Sequence, residues 1–287
     1  MSDTDSRTAS AARRRGSEPP PSPEPLAVPV LDSHTHLDIA GDGSRETAFA
    51  AIKAAREVGV DRLVQVGCDV ASSRWGVSLA AASDAVLATV ALHPNEAPRV
   101  ADLDASLRVI EELAAHDRVR GIGETGLDTF RTGEGGREAQ ELSFRAHIAI
   151  AKRYGKALVI HDREAHADVL RVLDSEGAPE TVVMHCFSGD EPFARECLDR
   201  GFVLSFAGTV TFKNAQNLRD AAAITPLAQM LVETDAPYLT PMPYRGRPNA
   251  PYLIPLTVRA LAEVLGRDVD QVAAGISATG ERVFGPW

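Results

Sequence analysis

The sequence predicts a (β/α)8 barrel, the TIM-barrel fold, formed by a single α/β domain. Short β-branched or apolar segments alternate with longer helical patterns eight times from residue 28 onward. The connections between them are short, which favours a closed parallel barrel over an open sheet. The chain has 287 residues, and α/β barrels of roughly 250 residues commonly form one domain.

The individual elements follow from the spacing of the apolar residues. Predicted strands span residues 29–32, 62–66, 86–91, 119–123, 157–160, 181–184, 202–206 and 230–233. Predicted helices include residues 45–58, 103–116, 138–154, 192–200 and 214–224. The alternative is an open doubly wound sheet, but no G-x-G-x-x-G motif follows the first strand.

The first 27 residues differ in composition from the rest of the chain. They are rich in Ser, Arg, Ala and Pro and show no periodic pattern of apolar residues. We therefore expect a disordered tail over residues 1–27 and a barrel domain over residues 28–287. A weak nucleic-acid tether through Arg13, Arg14 and Arg15 is the alternative for this tail.

The overall composition limits the class of function. The formal net charge is −10 at pH 7, which argues against a broad basic surface that coats nucleic acid, so nucleic-acid contacts should be local. The three cysteines form no C-x-x-C pair, so neither a disulfide framework nor a zinc ribbon is expected. No apolar run is long enough to span a membrane. We predict a cytoplasmic protein without membrane contact or an obligate protein partner.

Residues of the types that bind metal ions stand at the ends of the predicted strands. His34 and His36 follow the first strand, and side chains two apart on a strand point the same way. Further strands are followed by Glu124, His161, His185 and Asp235. Catalytic groups of α/β barrels collect at the carboxyl ends of the strands, and isolated buried charges are costly. Convergence of the six side chains on one site is therefore predicted.

Four imidazoles and two carboxylates suffice to hold two divalent ions with a shared carboxylate. The assignment to the two ions is as follows: one ion binds His34, His36 and Asp235, the other binds His161 and His185, and both bind Glu124. Mg²⁺, Mn²⁺ and Zn²⁺ all suit such mixed nitrogen and oxygen ligands. Asp235 is the candidate to accept a proton from the attacking water and deliver it to the leaving group.

Further residues on the same barrel face are candidates for substrate binding. Arg131, Arg163, Arg245 and Arg247 fall on loops there and carry guanidinium groups suited to phosphate oxygens. His93 follows the third strand and is expected to support a ligand or bind phosphate. The alternatives are a surface role for each arginine and a structural role for His93. Cys186 should point away from the site, because it directly follows His185 on a strand end.

Six strings carry a family resemblance. They are D-S-H-T-H-L (32–37), G-E-T-G-L-D (123–128), V-I-H-D-R-E (159–164), M-H-C-F-S-G (184–189), E-T-D-A-P-Y-L-T-P (233–241) and R-G-R-P-N (245–249). In this order they resemble the signature of the TatD family of metal-dependent deoxyribonucleases. The resemblance implies an amidohydrolase-like barrel and nuclease activity, often 3′ to 5′ exonucleolytic, with DNA ends, single strands or RNA as the substrate.

Two positions depart from that family's usual pattern. The chain has His93-Pro94-Asn95 where the family commonly shows H-P-H, and Thr129-Phe130 where it shows an aromatic pair. Neither position is a predicted ligand. The departures therefore concern substrate positioning or base stacking and leave metal binding unaffected.

Two other functions compete with the nuclease. An amidohydrolase could use the same site on an amide, a lactone or an aminoacyl ester such as a D-aminoacyl-tRNA. Many of those enzymes bridge their metals with a modified lysine after the fourth strand, where this chain has Glu124, so the phosphodiesterase is favoured. A non-catalytic metal-binding scaffold would be expected to lack a ligand, yet all six positions are filled.

Overall fold

The computed structural model describes residues 18–287 as a barrel of eight parallel strands. The strands pair in sequential order. They are β1 Val30–Thr35, β2 Val60–Val66, β3 Val86–Val90, β4 Val119–Asp128, β5 Ala157–Arg163, β6 Val182–Met184, β7 Val203–Phe206 and β8 Met230–Val232. A parallel bridge between Thr35 and Ala236 joins the segment after β8 to β1. The predicted (β/α)8 fold is confirmed.

Helices surround the barrel and follow the strands along the chain. Within residues 18–287 they are α1 Arg45–Arg56, α2 Val70–Ala80, α3 Leu103–Ala114, α4 Arg137–Tyr154, α5 His166–Glu176, α6 Glu191–Asp199, α7 Gln216–Ile224, α8 Ile254–Leu265 and α9 Val269–Phe284. Across these described residues, every helix is too short or too polar to cross a membrane.

Acidic side chains fix where several helices begin. Asp69, Asp102 and Asp190 precede α2, α3 and α6, and each carboxylate accepts a hydrogen bond from the amide three residues later. Such caps satisfy amides that the first helical turn leaves free and stabilise a helix by about 1 kcal/mol. At the other end of α4, Gly155 takes the left-handed conformation, with φ of 60°, that most side chains disfavour.

Three strands run further at their carboxyl ends than the sequence predicts, and each extension carries site residues. β1 was expected to end at residue 32 and continues to Thr35. β4 was expected to end at residue 123 and β5 at residue 160, but they continue to Asp128 and Arg163. The extensions of β4 and β5 pair with each other, with Thr125 beside Ile160 and Asp128 beside Arg163. Polar residues can form this part of the strands because it lies at the barrel mouth, where the pairing supplies backbone hydrogen bonds. The rigid sheet therefore holds the functional side chains.

The segment before β1 also differs from expectation. Residues 1–17 of the predicted tail lie outside the described residues, but residues 18–27 lie along the barrel surface. Arg247 donates hydrogen bonds to the carbonyl oxygens of Glu18 and Pro19 at 2.9 and 3.0 Å. Tyr252 donates to Pro20 at 2.6 Å, and Leu26 is buried. These contacts explain the order of a segment whose composition alone predicts disorder.

Candidate metal centre

The first group of predicted ligands meets at the carboxyl end of the barrel. His34 and His36 extend from β1 with their Nε2 atoms 3.2 Å apart. Glu124 on β4 faces them, and its Oε2 atom lies 3.5 Å from His34 Nε2. Asp235, in the loop after β8, places Oδ1 3.4 Å from His36 Nε2. The structure thus brings these four side chains together.

The second group lies at the other oxygen of the same carboxylate. Glu124 Oε1 is 2.5 Å from His161 Nδ1 and 3.3 Å from His185 Nε2. His93 Nε2 approaches Oε1 at 3.4 Å, so this residue lies among the potential ligands. The two oxygens of the Glu124 carboxylate therefore face different imidazoles, Oε2 facing His34 and Oε1 facing His161 and His185.

Several buried polar atoms of the cluster lack a hydrogen-bond partner. Among the described residues these are both carboxylate oxygens of Glu233, Nδ1 of His34 and Nδ1 of His185. Glu233 Oε1 lies 2.9 Å from His185 Nδ1, but this ion-pair contact lacks hydrogen-bond geometry. Buried polar atoms are normally paired, and imidazoles with carboxylates are ligands for divalent metals. The donor set therefore fits a metal centre.

The cluster is electrostatically coupled. Burial disfavours the ionised form of Glu124, but His185, His93 and His161 outweigh it and hold the pKa of this carboxyl well below its usual range. In His185 burial is likewise outweighed, here by Glu233 and Glu124, so its pKa is raised well above the usual value. These shifts favour a protonated His185 beside an ionised Glu124. Because a metal ion must displace such a proton, its affinity falls at low pH.

Glu233 is part of the site, although the sequence analysis did not select it. It is fully buried, and an oxygen of its carboxylate lies within 4.8 Å of ring nitrogens of His34 and His185. The sequence contained a signal for this role. Glu233 and Asp235 are two residues apart at a strand end, and side chains with that spacing share a face of the strand.

Asp128 is a second residue that sequence reasoning missed. Its Oδ2 atom lies 3.2 Å from His161 Nε2 and accepts a hydrogen bond from Asn95 Nδ2 at 2.9 Å. Its Oδ1 atom accepts one from the Arg131 amide at 2.7 Å. Burial is outweighed by these contacts, so the pKa of Asp128 lies below its usual range. An ionised Asp128 fixes the orientation of the His161 ring.

Asp32 stabilises the strand ends that carry the ligands. Its buried carboxylate accepts hydrogen bonds from the amides of Thr234 and His34 at 2.9 and 3.2 Å. It thereby ties β1 to the segment after β8. Burial raises the pKa of Asp32 to about 8.

Cys186 points into the site, contrary to the prediction that it packs away from it. Its sulfur lies within 4.8 Å of a ring nitrogen of His185 and a carboxylate oxygen of Asp235. The prediction assumed an extended strand end, but Cys186 has a φ of 42°, which breaks the alternation of side chains. Cys68 also borders the site, with Sγ 3.9 Å from His36 Nδ1.

The predicted substrate-binding arginines are distributed differently. Arg163 packs over the Phe130 ring, with its guanidinium carbon 4.3 Å from the ring centre. Arg131 is exposed in the turn after β4. Arg247 instead donates its guanidinium hydrogens to the segment that precedes β1, and backbone carbonyl oxygens take the place expected for phosphate oxygens.

The barrel and its donor groups define a class, the metal-dependent hydrolases. The TatD related DNase family matches residues 31–285, and the chain belongs to this family. It is 46% identical, over 89% of its length and 98% of the relative's, to the uncharacterized metal-dependent hydrolase TatD of Mycobacterium tuberculosis (strain ATCC 25618 / H37Rv). It is 35% identical, with coverages of 89% and 98%, to the uncharacterized hydrolase YabD of Bacillus subtilis (strain 168).

Solved structures agree with this assignment. The crystal structure of YjjV, a TatD homolog from Escherichia coli K12, superposes with a TM-score of 0.84 at 26% identity and covers 90% of this chain and 98% of its own. A TatD family hydrolase from Entamoeba histolytica gives a TM-score of 0.78 at 18% identity, with coverages of 91% and 100%. At that identity the second likeness concerns the fold alone.

Proposed function

We propose that this protein is a phosphodiesterase, a deoxyribonuclease that removes nucleotides from an exposed end of DNA, or of RNA, in the 3′ to 5′ direction. The observation that carries the proposal is Glu124, whose two carboxylate oxygens each face imidazoles at 3.5 Å or less. Membership of the TatD related DNase family supports the choice of a phosphodiester as the substrate.

The proposed ligand sets follow the two groups around Glu124. In this proposal the first metal position has the ligands His34, His36 and Asp235, and the second has His161 and His185. Glu124 lies between the two positions. Two divalent ions there, Mg²⁺, Mn²⁺ or Zn²⁺, would lower the pKa of water and offset the charge of the phosphodiester.

Asp235 is the proposed proton carrier. Its carboxylate is the more accessible one of the site, with a side chain 15% exposed against 5% for Glu124. Burial is outweighed by His36 and His185, so the pKa of Asp235 lies below its usual value. An ionised, accessible carboxylate can accept a proton from the attacking water and return it to the leaving oxygen.

Two arginines supply positive charge for the phosphate. Arg163 is two residues beyond His161 on β5, so both side chains project from the same face of the strand. Arg131 follows Asp128, which contacts His161. Guanidinium groups at these positions would bind the phosphates beside the cleaved bond. The local character of this charge agrees with a net charge of −10.

A substrate panel tests the function. Chelator-stripped protein is incubated with Mg²⁺, Mn²⁺ or Zn²⁺ and with end-labelled single-stranded DNA, duplex DNA, RNA and a D-aminoacyl-tRNA. The proposal predicts metal-dependent release of mononucleotides from the 3′ end. Hydrolysis of the tRNA ester without nucleotide release would instead establish an amidohydrolase-type esterase.

Variants test the role of Asp235. Asp235→Asn should lower kcat by about 100-fold or more, the range of positioned acid–base groups. Asp104→Asn, at an exposed carboxylate on α3, is the matched control and should leave kcat unchanged. Full turnover by Asp235→Asn would remove the proposed proton transfer while leaving the nuclease proposal intact.

A further inference from the structure

We propose that two nucleobase-binding subsites flank the metal centre, one formed by Phe130 with Arg163 and the other by Tyr238. The inference rests on the proposed nuclease function and narrows its substrate. It names the substrate as the end of a single strand, in which the bases on both sides of the cleaved phosphate are unpaired.

Exposed aromatic side chains at the barrel mouth are the first observation. Phe130 is 59% and Tyr238 55% exposed, and they lie in the loops after β4 and β8, beside the donor cluster. Phe49 and Leu142 are also exposed, but they lie on the helices α1 and α4 and not in a loop that follows a strand. Burying such rings is favourable, so their exposure at a polar site indicates a ligand that stacks on them.

Contacts with residues of the site fix the position of Phe130. Asp128, which contacts His161 at 3.2 Å, also accepts the Arg131 amide and thereby closes the turn that carries Phe130. Arg163 covers one face of the ring at 4.3 Å. A cation held on one face leaves the other face free for a base and places a positive charge beside the neighbouring phosphate.

Tyr238 is fixed in a comparable way from the other side. Its amide donates to the Asp235 carbonyl at 2.9 Å, and its own carbonyl accepts a hydrogen bond from the buried Asn249 side chain. The tyrosine ring lies 6.5 Å from the His36 ring, at an angle of 67°. The ring therefore stands at the edge of the first donor group.

The strand order places the two rings on opposite sides of the site. Phe130 follows β4 and Arg163 ends β5, whereas Tyr238 follows β8, which adjoins β1. In an eight-stranded barrel with sequential order, these pairs are half a turn apart. A phosphate bound near Glu124 would then have one ring on each side, as its two neighbouring bases require. Bases inside a duplex are stacked on each other and cannot use either ring.

Substrates that lack single bases test the subsites. The holoenzyme is given 3′-end-labelled single strands of one sequence, with all bases present or with an abasic residue at the terminal or the penultimate position. Stacking on an aromatic side chain changes affinity by about 5- to 150-fold per base. We therefore expect each abasic substitution to raise KM at least about 5-fold, with a smaller effect on kcat.

The variants assign each base to its ring. Phe130→Ala should raise KM for the complete strand and abolish the penalty at one of the two positions, and Tyr238→Ala should do so at the other. Phe130→Tyr keeps a ring and should retain the penalty. Phe49→Ala and Leu142→Ala, at exposed positions on the helices α1 and α4, are controls and should behave as the wild type.

Three outcomes bear on the proposals differently. If the wild type cleaves complete and abasic strands with equal KM, or if both alanine variants keep the wild-type penalties, the subsites are refuted while the nuclease function stands. Cleavage of no oligonucleotide refutes the nuclease function and, with it, the subsites. More than half of each ring is exposed, so the truncations should leave the melting temperature unchanged, and circular dichroism checks this.

Discussion

Asp128 Oδ2 lies 3.2 Å from His161 Nε2, while Glu124 occupies the opposite edge of the same imidazole, at Nδ1. Residues that orient a ligand in this way typically contribute 10- to 100-fold to metal affinity. We predict that Asp128→Asn weakens divalent-metal binding by roughly that factor, as measured by calorimetric titration of chelator-stripped protein. Asp102→Asn, at a helix cap where Asn substitutes well, should bind metal normally. Equal affinities would contradict the role of Asp128.

The buried carboxylate of Glu233 leads us to expect that metal binding increases the stability of the fold. Neither of its buried carboxylate oxygens has a hydrogen-bond partner among the described residues, and Glu124 and Asp235 lie in the same cluster. A metal at about 100 times its Kd stabilises a protein by about 2.7 kcal/mol per site. We expect metal to raise the melting temperature of the wild type. In Glu233→Gln the metal-free protein should melt higher and the shift should shrink. An undiminished shift in the variant would count against a role of Glu233 at the centre.

The sequence predicted the fold class because that inference depends on local patterns. Strands and helices alternate along the chain, and this pattern shows the repeating unit without any information about contacts between distant residues. The positions of the histidines and carboxylates at strand ends are equally local. Their approach around Glu124 follows from barrel closure, which the strand count already implies.

Features that depend on distant contacts or on unusual backbone conformation were not predictable. Cys186 turns into the site through a positive φ that no pattern in M-H-C-F reveals. Arg247 donates a hydrogen bond to Glu18, more than 200 positions away. The composition of residues 18–27 gives no sign that this segment is ordered. His147 on α4 is fully buried, and its Nε2 accepts a hydrogen bond from the amide of Leu92, 55 residues away, at 3.0 Å.

The buried His147 makes stability depend on pH. Burial lowers its pKa to about 4, from 6.5, so the unfolded chain binds a proton between these values that the folded chain does not. The free energy of unfolding therefore falls as the pH drops from 6.5 towards 4, by about 1.4 kcal/mol per pH unit from this group. His147→Gln should flatten urea-denaturation profiles in that window, whereas His116→Gln, at an exposed position, should not. Parallel profiles for wild type and His147→Gln would refute the assignment.

Alanine variants of Arg247 and Arg163 should distinguish a structural arginine from a substrate-binding one. Arg247→Ala removes the hydrogen bonds to Glu18 and Pro19, so proteolysis within residues 18–27 should accelerate. The KM for single-stranded DNA should stay within about threefold of the wild-type value, a smaller change than the loss of one strong neutral hydrogen bond to the substrate would cause. Arg163→Ala should raise KM more and leave proteolysis unchanged. The reverse result, with KM controlled by Arg247, would return that residue to the phosphate site.

The most direct test of the metal centre is anomalous diffraction from crystals of the holoenzyme loaded with Mn²⁺ or Zn²⁺. We predict two peaks per chain, one beside His34 and His36, the other beside His161 and His185, with the Glu124 carboxylate in contact with both. Glu124→Gln crystals treated alike should lose at least one peak. Peaks elsewhere, or a single ion that Glu124 does not touch, would contradict the account.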